Sequence, residues 1–198
     1  MQNSSNRKWR LNHLAVLGYL IMAAGANTLI HNACASADTT AELAKMFEQD
    51  QAEREDAGKN PRPGQWKAIS CHDREHRARV LELMKENRLK SADDFYHAAM
   101  IMQHGDTPAD FTLAHVFAMA AAQKGNKEAV WLSAASFDRL MQSAGQPQVF
   151  ATQYYKNAND PYVLKQPMEA DLITDSIRQV FNVPTFEESR KRLLKLNN

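Results

Sequence analysis

Two of the seven histidines in this chain have the spacing of metal ligands. His72, Glu75 and His76 form the pattern His-x-x-Glu-His, in which two histidines on one helical face bind zinc and the glutamate acts as a base. Such a site also needs a distant carboxylate ligand and a larger α/β fold. Because the sequence shows no strands for that fold, we interpret the segment as a charged helix face and predict neither a metal ion nor a cofactor.

His97 and His104 lie seven residues apart and therefore on one face of a predicted helix. Seven residues span about 10 Å along a helix axis, which is too far for both rings to bind one metal ion directly. We interpret both as core or groove histidines that form hydrogen bonds to neighbouring helices. His115 stands among apolar residues and is interpreted as a core histidine.

Asp138 is the acidic residue that is hardest to place on a surface. At about 100° per residue it falls within the apolar arc of its predicted helix. A buried carboxylate needs a partner, and Arg139, although adjacent, lies about 100° away around the helix. Two interpretations stay open: Asp138 accepts hydrogen bonds from residues 148–153, or it orients His104 as the general base of a small hydrolase.

The N-terminus has the features of a secretory signal peptide. Three basic residues within the first ten precede an apolar run from Leu14 to Ala24, and a small-x-small site ends at Ala37. We expect cleavage before Asp38 and a periplasmic or secreted mature protein. An uncleaved membrane anchor is the alternative, and in either case the positively charged end stays inside.

The composition of the mature chain excludes several classes of protein. Removal of residues 1–37 leaves 161 of 198 residues, enough for one domain with its own core. It also lowers the number of Lys and Arg from 24 to 21, against 23 Asp and Glu, so neither nucleic acid nor a membrane is indicated as a partner. Only Cys71 remains, which excludes a disulfide-stapled toxin or inhibitor.

Hydrophobic spacing predicts helices nearly throughout the mature chain, and hence an all-α fold in the form of a small helical bundle. Residues 38–64 form an N-terminal helix, with a solvated charged half from Glu48 to Asp56, and a Pro/Gly linker; residues 65–198 form the helical domain. Helices are predicted at 68–87, 91–105, 108–124, 126–144 and 185–196.

Capping sequences at Ser91, Thr107 and Thr185 support three of these helix starts. The helix at 108–124 is apolar on nearly all sides, which predicts a place in the middle of the bundle. Residues 146–176 lack a regular pattern and carry several prolines, which indicates either a functional loop or a series of short turns.

Two of the helices resemble a Sel1-like repeat, a relative of the tetratricopeptide helical hairpin. The resemblance covers about residues 95–135 and amounts to one repeat; it rests on Ala114, Phe117, Ala121, Ala122, Gly125, Ala129 and Leu132. Because such repeats need about three copies to bury a continuous core, we expect a single hairpin within the bundle. The resemblance implies a binding or scaffolding module for a protein or peptide partner.

A second group of motifs resembles an uncharacterised bacterial family of small helical proteins, which implies no activity. Its parts are Gln103-His104-Gly105, Asp138-Arg139 and the sequence Gln-Val-Phe-Ala-Thr-Gln at 148–153, in which Ala151 replaces a glycine of the family. The alanine puts a tight turn at that position in question. The candidate binding residues are His97, His104, Gln148, Thr152, Gln153 and Tyr154, and the candidates for catalysis in the hydrolase alternative are His104, Asp138 and Arg139. Whether the chain is an enzyme stays open.

Overall fold

A computed structural model describes residues 21–156 and 160–197, without the side chains of residues 21–37 and 170. Seven helices lie in this part of the chain: α1 Ile21–Lys59, α2 Gln65–Lys85, α3 Ala92–Met102, α4 Pro108–Gln123, α5 Glu128–Ser143, α6 Asp175–Val180 and α7 Phe186–Leu196. Between α5 and α6 lie two short antiparallel strands, β1 Tyr154–Tyr155 and β2 Val163–Leu164, and a 3-10 turn at Ala170–Leu172. The predicted all-α bundle is confirmed.

The helix α1 starts earlier than the sequence pattern indicated. It runs without a break from Ile21 to Lys59 and passes through the expected cleavage site before Asp38. Residues 1–20, with the basic residues of the expected signal peptide, lie outside the described residues. None of the described helices is long and apolar enough to cross a membrane. The signal peptide stays a prediction.

Capping interactions fix three helix starts where the sequence placed them. The hydroxyls of Ser91, Thr107 and Thr185 each accept a hydrogen bond from the backbone N–H three residues later, and the carboxylate there accepts one in return. Each pair satisfies two backbone donors that a helix start otherwise leaves unbonded. The ends of α2 to α5 and of α7 lie within three residues of the predicted ends.

The main core lies where α1 and α2 pack on α3 and where α3 packs on α4. Its largest fully buried members are Leu43 of α1, Leu83 of α2, Ile101 and Met102 of α3, and Leu132 of α5. A smaller cluster joins α5 to the segments before and after α6 through Ala134, Val149, Phe150 and Val183. The bundle is thus arranged in the order α1 and α2, α3, α4, α5.

α4 lies between α3 and α5, but it is not buried on all sides as its apolar sequence indicated. One face of α4 buries Phe117 and three alanines against α3 and α5, but Val116 and Met119 on the other face are exposed. Among the described helices, α1 and α2 pack on α3, and the main neighbours of α4 are α3 and α5. α4 and α5 form the expected helical hairpin, with Gly125 at φ 100° in the turn between them.

Candidate functional site

Asp138 holds the segment that follows α5. Its Oδ1 accepts hydrogen bonds from the backbone N–H groups of Val149 and Phe150 at 2.7 and 2.9 Å. Its Oδ2 accepts from the N–H and the hydroxyl of Thr152 at 3.0 and 2.7 Å. The carboxylate is completely buried, and these four donors replace the water that it loses. Asp138 thus ties this loop to the bundle, which is the structural role that the sequence left open.

Arg178 of α6 binds the same loop through its carbonyl groups. Its guanidinium donates to the carbonyl oxygens of Phe150 and Val149 at 2.7 and 3.0 Å, and the side chain is 1% exposed. Burial lowers the pKa of Arg178, and the charges of Asp175 and Asp138 oppose that shift. No local pattern in the sequence points to Arg178, because its partners lie about thirty residues away along the chain.

The turn in this loop forms although an alanine occupies it. Ala151 has φ 57°, in the left-handed region, and is 1% exposed. Glycine adopts this conformation without strain, whereas for alanine it costs about 1 kcal/mol. The tight turn that the alanine put in question is therefore present.

The glutamines of the loop are occupied by internal hydrogen bonds. The Gln148 amide nitrogen donates to the carbonyls of Lys165 and Gln153 at 2.6 and 3.1 Å, and its Oε1 accepts from the Gln153 N–H at 2.9 Å. The Gln153 amide nitrogen donates to the carbonyl of Ala135 at 3.1 Å and to the Thr152 hydroxyl at 2.9 Å. Gln148, Thr152 and Gln153, candidates for ligand binding, thus hold the loop against α5. Tyr154 begins the strand β1 and is partly buried.

His104 belongs to a separate group of polar side chains between α1, α2 and the end of α3. The Arg54 Nε donates to Nδ1 of His104 at 3.1 Å, and the Arg54 Nη2 donates to both carboxylate oxygens of Asp73 at 3.0 Å. Because an arginine N–H can only donate, Nδ1 of His104 accepts, and the neutral ring carries its proton on Nε2. That Nε2 lies 3.4 Å from Oδ2 of Asp50.

The carboxylate that faces His104 is therefore that of Asp50 and not that of Asp138. The hydrolase alternative required His104, Asp138 and residues 148–153 to form one polar site. Asp138 and the loop do meet, but among the described contacts His104 is joined to Asp50 and Arg54 instead. The fold separates the residues because Asp138 faces the loop after α5, whereas His104 faces α1.

Burial sets the protonation of this group. It raises the pKa of Asp50 to about 6, against the opposing charge of Arg54. Burial and the positive charges of Arg54, Arg139 and Arg77 together lower the pKa of His104 to about 2. At neutral pH His104 is thus uncharged and a weak base, whereas the pKa of Asp50 lies only about one unit below neutrality.

Arg139 of α5 lies close enough to Arg54 and His104 to act on both electrostatically. Among the described residues, none forms a hydrogen bond or an ion pair with its guanidinium, and its Nε is sealed from solvent. Burial, and then the charge of Arg54, lower the pKa of Arg139. We name this group the charge cluster; its members are Asp50, Arg54, Asp73, His104 and Arg139.

Arg77 and Gly105 fix the backbone next to His104. Arg77 donates to the His104 carbonyl at 2.8 Å and to the Asp106 carboxylate at 2.9 Å. A Cβ atom on Gly105 would overlap the side chain of Asp110, whose carboxylate caps the start of α4. Gly105 is therefore required because the side chain of Asp110 lies too close for any other residue at this position.

Comparisons with protein-family models, characterised proteins and solved structures find no match. The two resemblances in the sequence stay predictions. The function has to be argued from the charge cluster itself.

Three further histidines have contacts of other kinds. His97 stacks on Phe47 with ring centroids 4.8 Å apart, and burial lowers its pKa. The hydrogen bond expected for His97 is not formed by its buried Nδ1, which has no partner among the described residues. His115 donates from Nδ1 to the carbonyl of Ser133 at 2.9 Å, as expected of a core histidine. His72 pairs with Glu53 at 2.8 Å, which raises the pKa of His72. In the described part of the chain no three His, Cys, Asp or Glu side chains are grouped as a metal site requires.

Sequence reasoning missed Asp50, Arg54 and Asp73. The half of α1 that contains the first two was expected to be solvated because it is densely charged, yet Asp50 is only 3% exposed. A signal was present: Leu43, Asp50, Arg54 and Ala57 recur at the spacing of one helical face, and both apolar members of that face are buried.

Proposed function

We propose that this protein is a binding module and that its ligand occupies the charge cluster. The observation that carries the proposal is the concentration there of buried polar atoms that form no hydrogen bond. Five buried side-chain atoms lack a hydrogen bond in the described part of the chain, and three of them, on Arg54, His104 and Arg139, belong to the cluster. Two of these, Nη1 of Arg54 and Nε2 of His104, lie 3.5 and 3.4 Å from the Asp50 carboxylate. Buried polar groups in native proteins are nearly always bonded.

The cost of these atoms supports a functional origin. A buried donor without a partner costs about 1–3 kcal/mol, and more if it is charged. The loop around Asp138 demonstrates that this same chain can satisfy a buried charge completely, with four donors on one carboxylate. Arg139 lies in the same helix, α5, and its guanidinium has no acceptor among the described residues. A ligand that supplies an acceptor is therefore the best explanation for this arginine.

Binding accounts for the cluster better than chemistry by His104 does. A general base works best with a pKa near the working pH, and the pKa of His104, about 2, is far below it. The Sel1-like hairpin supports a protein or peptide as the partner, by analogy of fold alone. The features of the N-terminus support action in the periplasm or outside the cell.

A hydrolase is the second candidate, and the raised pKa of Asp50 favours it. A carboxyl group with a pKa of about 6 can act as a general acid or base near neutral pH. In this form of the alternative, Asp50 replaces Asp138 as the acidic residue beside His104.

A thermal-shift screen of the full chain tests the binding function. We would screen a library of peptides and small metabolites against the natural chain, the variant His104→Asn and the exposed control Lys195→Ala, after circular dichroism has shown that both variants fold. Ligands of the cluster should raise the Tm of the natural chain and of the control, but not that of His104→Asn. Ligands that stabilise all three proteins equally would place the binding site elsewhere and contradict the proposal.

The same ligands separate the two candidate functions. Each is incubated with the natural chain and with Asp50→Asn, and the products are analysed by mass spectrometry. A binding module leaves the ligand intact. Cleavage by the natural chain that is lost in Asp50→Asn would establish the hydrolase instead.

A further inference from the structure

A groove with a volume of about 600 Å³ lies between α7 and the turn that joins it to α6. The helix α7 contributes Lys191, Arg192 and Lys195 to its lining, and the end of α6 and the turn contribute Gln179 and Asn182. We infer that this groove binds an extended acidic segment of a partner protein. The groove shares no residue with the charge cluster and is a second binding site, independent of the one proposed above.

Both ends of α7 are fixed, so the groove exists before a partner arrives. At its start, the backbone N–H of Phe186 donates to Oδ1 of Asp175 at 3.1 Å. At its end, the side chain of Asn197 accepts from the N–H of Tyr162 at 2.6 Å and donates to the carbonyl of Tyr162 at 2.9 Å. A preformed groove avoids the entropic cost of ordering its walls when a ligand binds.

The basic residues of the groove share one face of α7. Lys191, Arg192 and Lys195 follow Glu188 by three, four and seven residues, which is the spacing of a single helical face. The Glu188 carboxylate is engaged at the start of the helix, where it accepts from the N–H and the hydroxyl of Thr185 at 2.8 and 2.9 Å.

The positive charges of this face are available to a ligand. Among the described residues, neither Arg192 nor Lys195 has an acidic partner. Lys191 forms only an exposed pair with Glu187 at 3.8 Å, and such pairs contribute little to stability. The face therefore presents three cations to the groove.

The charge of this face contrasts with that of the whole chain. The six residues from Arg190 to Lys195 include four basic and no acidic residues, whereas the chain as a whole has 24 basic and 23 acidic residues. A groove lined by one sign of charge concentrates ligands of the opposite sign. Complementarity of charge thus specifies an acidic partner.

The other lining residues favour a peptide over a nucleic acid or a membrane. Gln179 and Asn182 each carry a donor and an acceptor, which match the backbone N–H and C=O groups of an extended peptide. None of the lining residues is aromatic, whereas proteins that bind single-stranded nucleic acid stack the bases on aromatic side chains. A lipid surface is flat and does not fill a groove.

The spacing of the cations sets the spacing of the acidic residues in the partner. Lys195 follows Lys191 and Arg192 by four and three residues, which places it about 4.5–6 Å further along the helix axis. Alternate side chains on one face of an extended strand lie about 6.6 Å apart, a close match for side chains as long as these. The partner segment therefore carries acidic residues at alternate positions.

Fluorescence anisotropy of a labelled peptide on the full chain tests this site. The peptide alternates glutamate and threonine over about eight residues and is blocked at both ends. At low ionic strength Arg192→Gln and Lys195→Gln should each weaken binding about fivefold, and the double variant about twentyfold. The matched control Arg190→Gln removes a charge from the same helix outside the groove lining and should change the affinity less than about twofold. Circular dichroism first establishes that all variants fold.

Three further probes test the chemistry of the ligand. The first is a peptide with glutamine in place of glutamate, and the second has the same composition as the acidic peptide but with its glutamates in one block. We expect no binding of the first and weaker binding of the second. The third probe is a set of phosphatidylcholine vesicles that contain phosphatidylglycerol, to which we expect no binding that depends on Arg192 and Lys195.

Several results would overturn the assignment of the groove. They are a failure of the natural chain to bind the acidic peptide, equal binding in the double variant, and equal affinity for the blocked and alternating peptides. Vesicle binding that is lost in the double variant, without peptide binding, would assign the groove to a membrane instead.

The groove and the charge cluster can be tested separately. In the thermal-shift screen described above, the acidic peptide should raise the Tm of the natural chain and of His104→Asn, but less that of Lys195→Ala. A peptide effect that is lost in His104→Asn and kept in Lys195→Ala would place the peptide at the charge cluster and contradict the groove. Failure of all ligands of the cluster would contradict the first site alone.

Discussion

Replacing Arg139 by methionine is expected to make this protein more stable. The guanidinium is partly buried next to Arg54 and has no acceptor among the described residues. Exchange of buried ionic groups for apolar side chains of similar volume is worth about 1–4 kcal/mol in other proteins. Arg139 keeps some exposure, and removal of its repulsion with Arg54 adds to the gain. We therefore expect the free energy of unfolding of Arg139→Met to increase by about 1.5 kcal/mol.

This gain corresponds to a rise in Tm of about 4 °C for a domain of this size. Urea titration followed by circular dichroism measures the free energy of unfolding, and differential scanning calorimetry measures the Tm. Arg139→Lys retains the charge and should give no gain, and the exposed Arg192→Met should change the Tm by less than about 1 °C.

A loss of stability in Arg139→Met would refute this reasoning. A decrease of more than about 1 kcal/mol would mean that the guanidinium is satisfied within the folded chain and contributes to it as other bonded side chains do. The functional explanation of the charge cluster would then lose its main support. A gain that Arg139→Lys also shows would indicate that the repacking of the side chain, and not the charge, is responsible.

Three more predictions follow from the contacts. Asp138→Ala should lower the free energy of unfolding by about 4 kcal/mol in a urea titration, because it leaves buried donors of the loop without an acceptor. Gly105→Ala should lower the Tm by several degrees, whereas Gly58→Ala, whose added Cβ meets nothing within 4 Å, should not. Asp50→Asn and His104→Asn should change the pH dependence of stability in opposite directions between pH 4 and 6. Asp50 has a raised pKa of about 6 in the folded chain, so its contribution to stability falls as pH rises from 4 to 6. His104 has a lowered pKa of about 2 in the folded chain, so its contribution to stability grows over the same range. Relative to the natural chain, stability should rise with pH in Asp50→Asn and fall in His104→Asn, as measured by urea titrations across the window.

The starts of three helices were predictable from the sequence because the interactions that form them are local, whereas the sequence indicated neither the early start of α1 nor the helix α6. A capping box joins residues three apart, so Ser91, Thr107 and Thr185 identify the starts of α3, α4 and α7 without knowledge of the rest of the fold. The burial of Asp138 was predictable for the same reason, because it follows from the position of the residue on its own helix.

The partners of buried polar residues were not predictable. Asp138 meets a loop more than ten residues away, and Arg54 meets a histidine fifty residues away. No periodicity in the sequence encodes such a distance. The sequence of α4 likewise did not indicate which of its faces the bundle would cover, because nearly all of its faces are apolar.

Composition, the capped starts of α3, α4 and α7, and the need of Asp138 for a partner were thus determined by the sequence alone. The tertiary structure decided that Asp138 binds the loop and that the neighbouring Arg139 lies near Arg54 and His104. The physical reason is the 100° turn between successive residues of a helix, which sends two adjacent side chains to different neighbours. Which neighbours they meet depends on how the helices pack, through contacts between residues that are far apart in the chain.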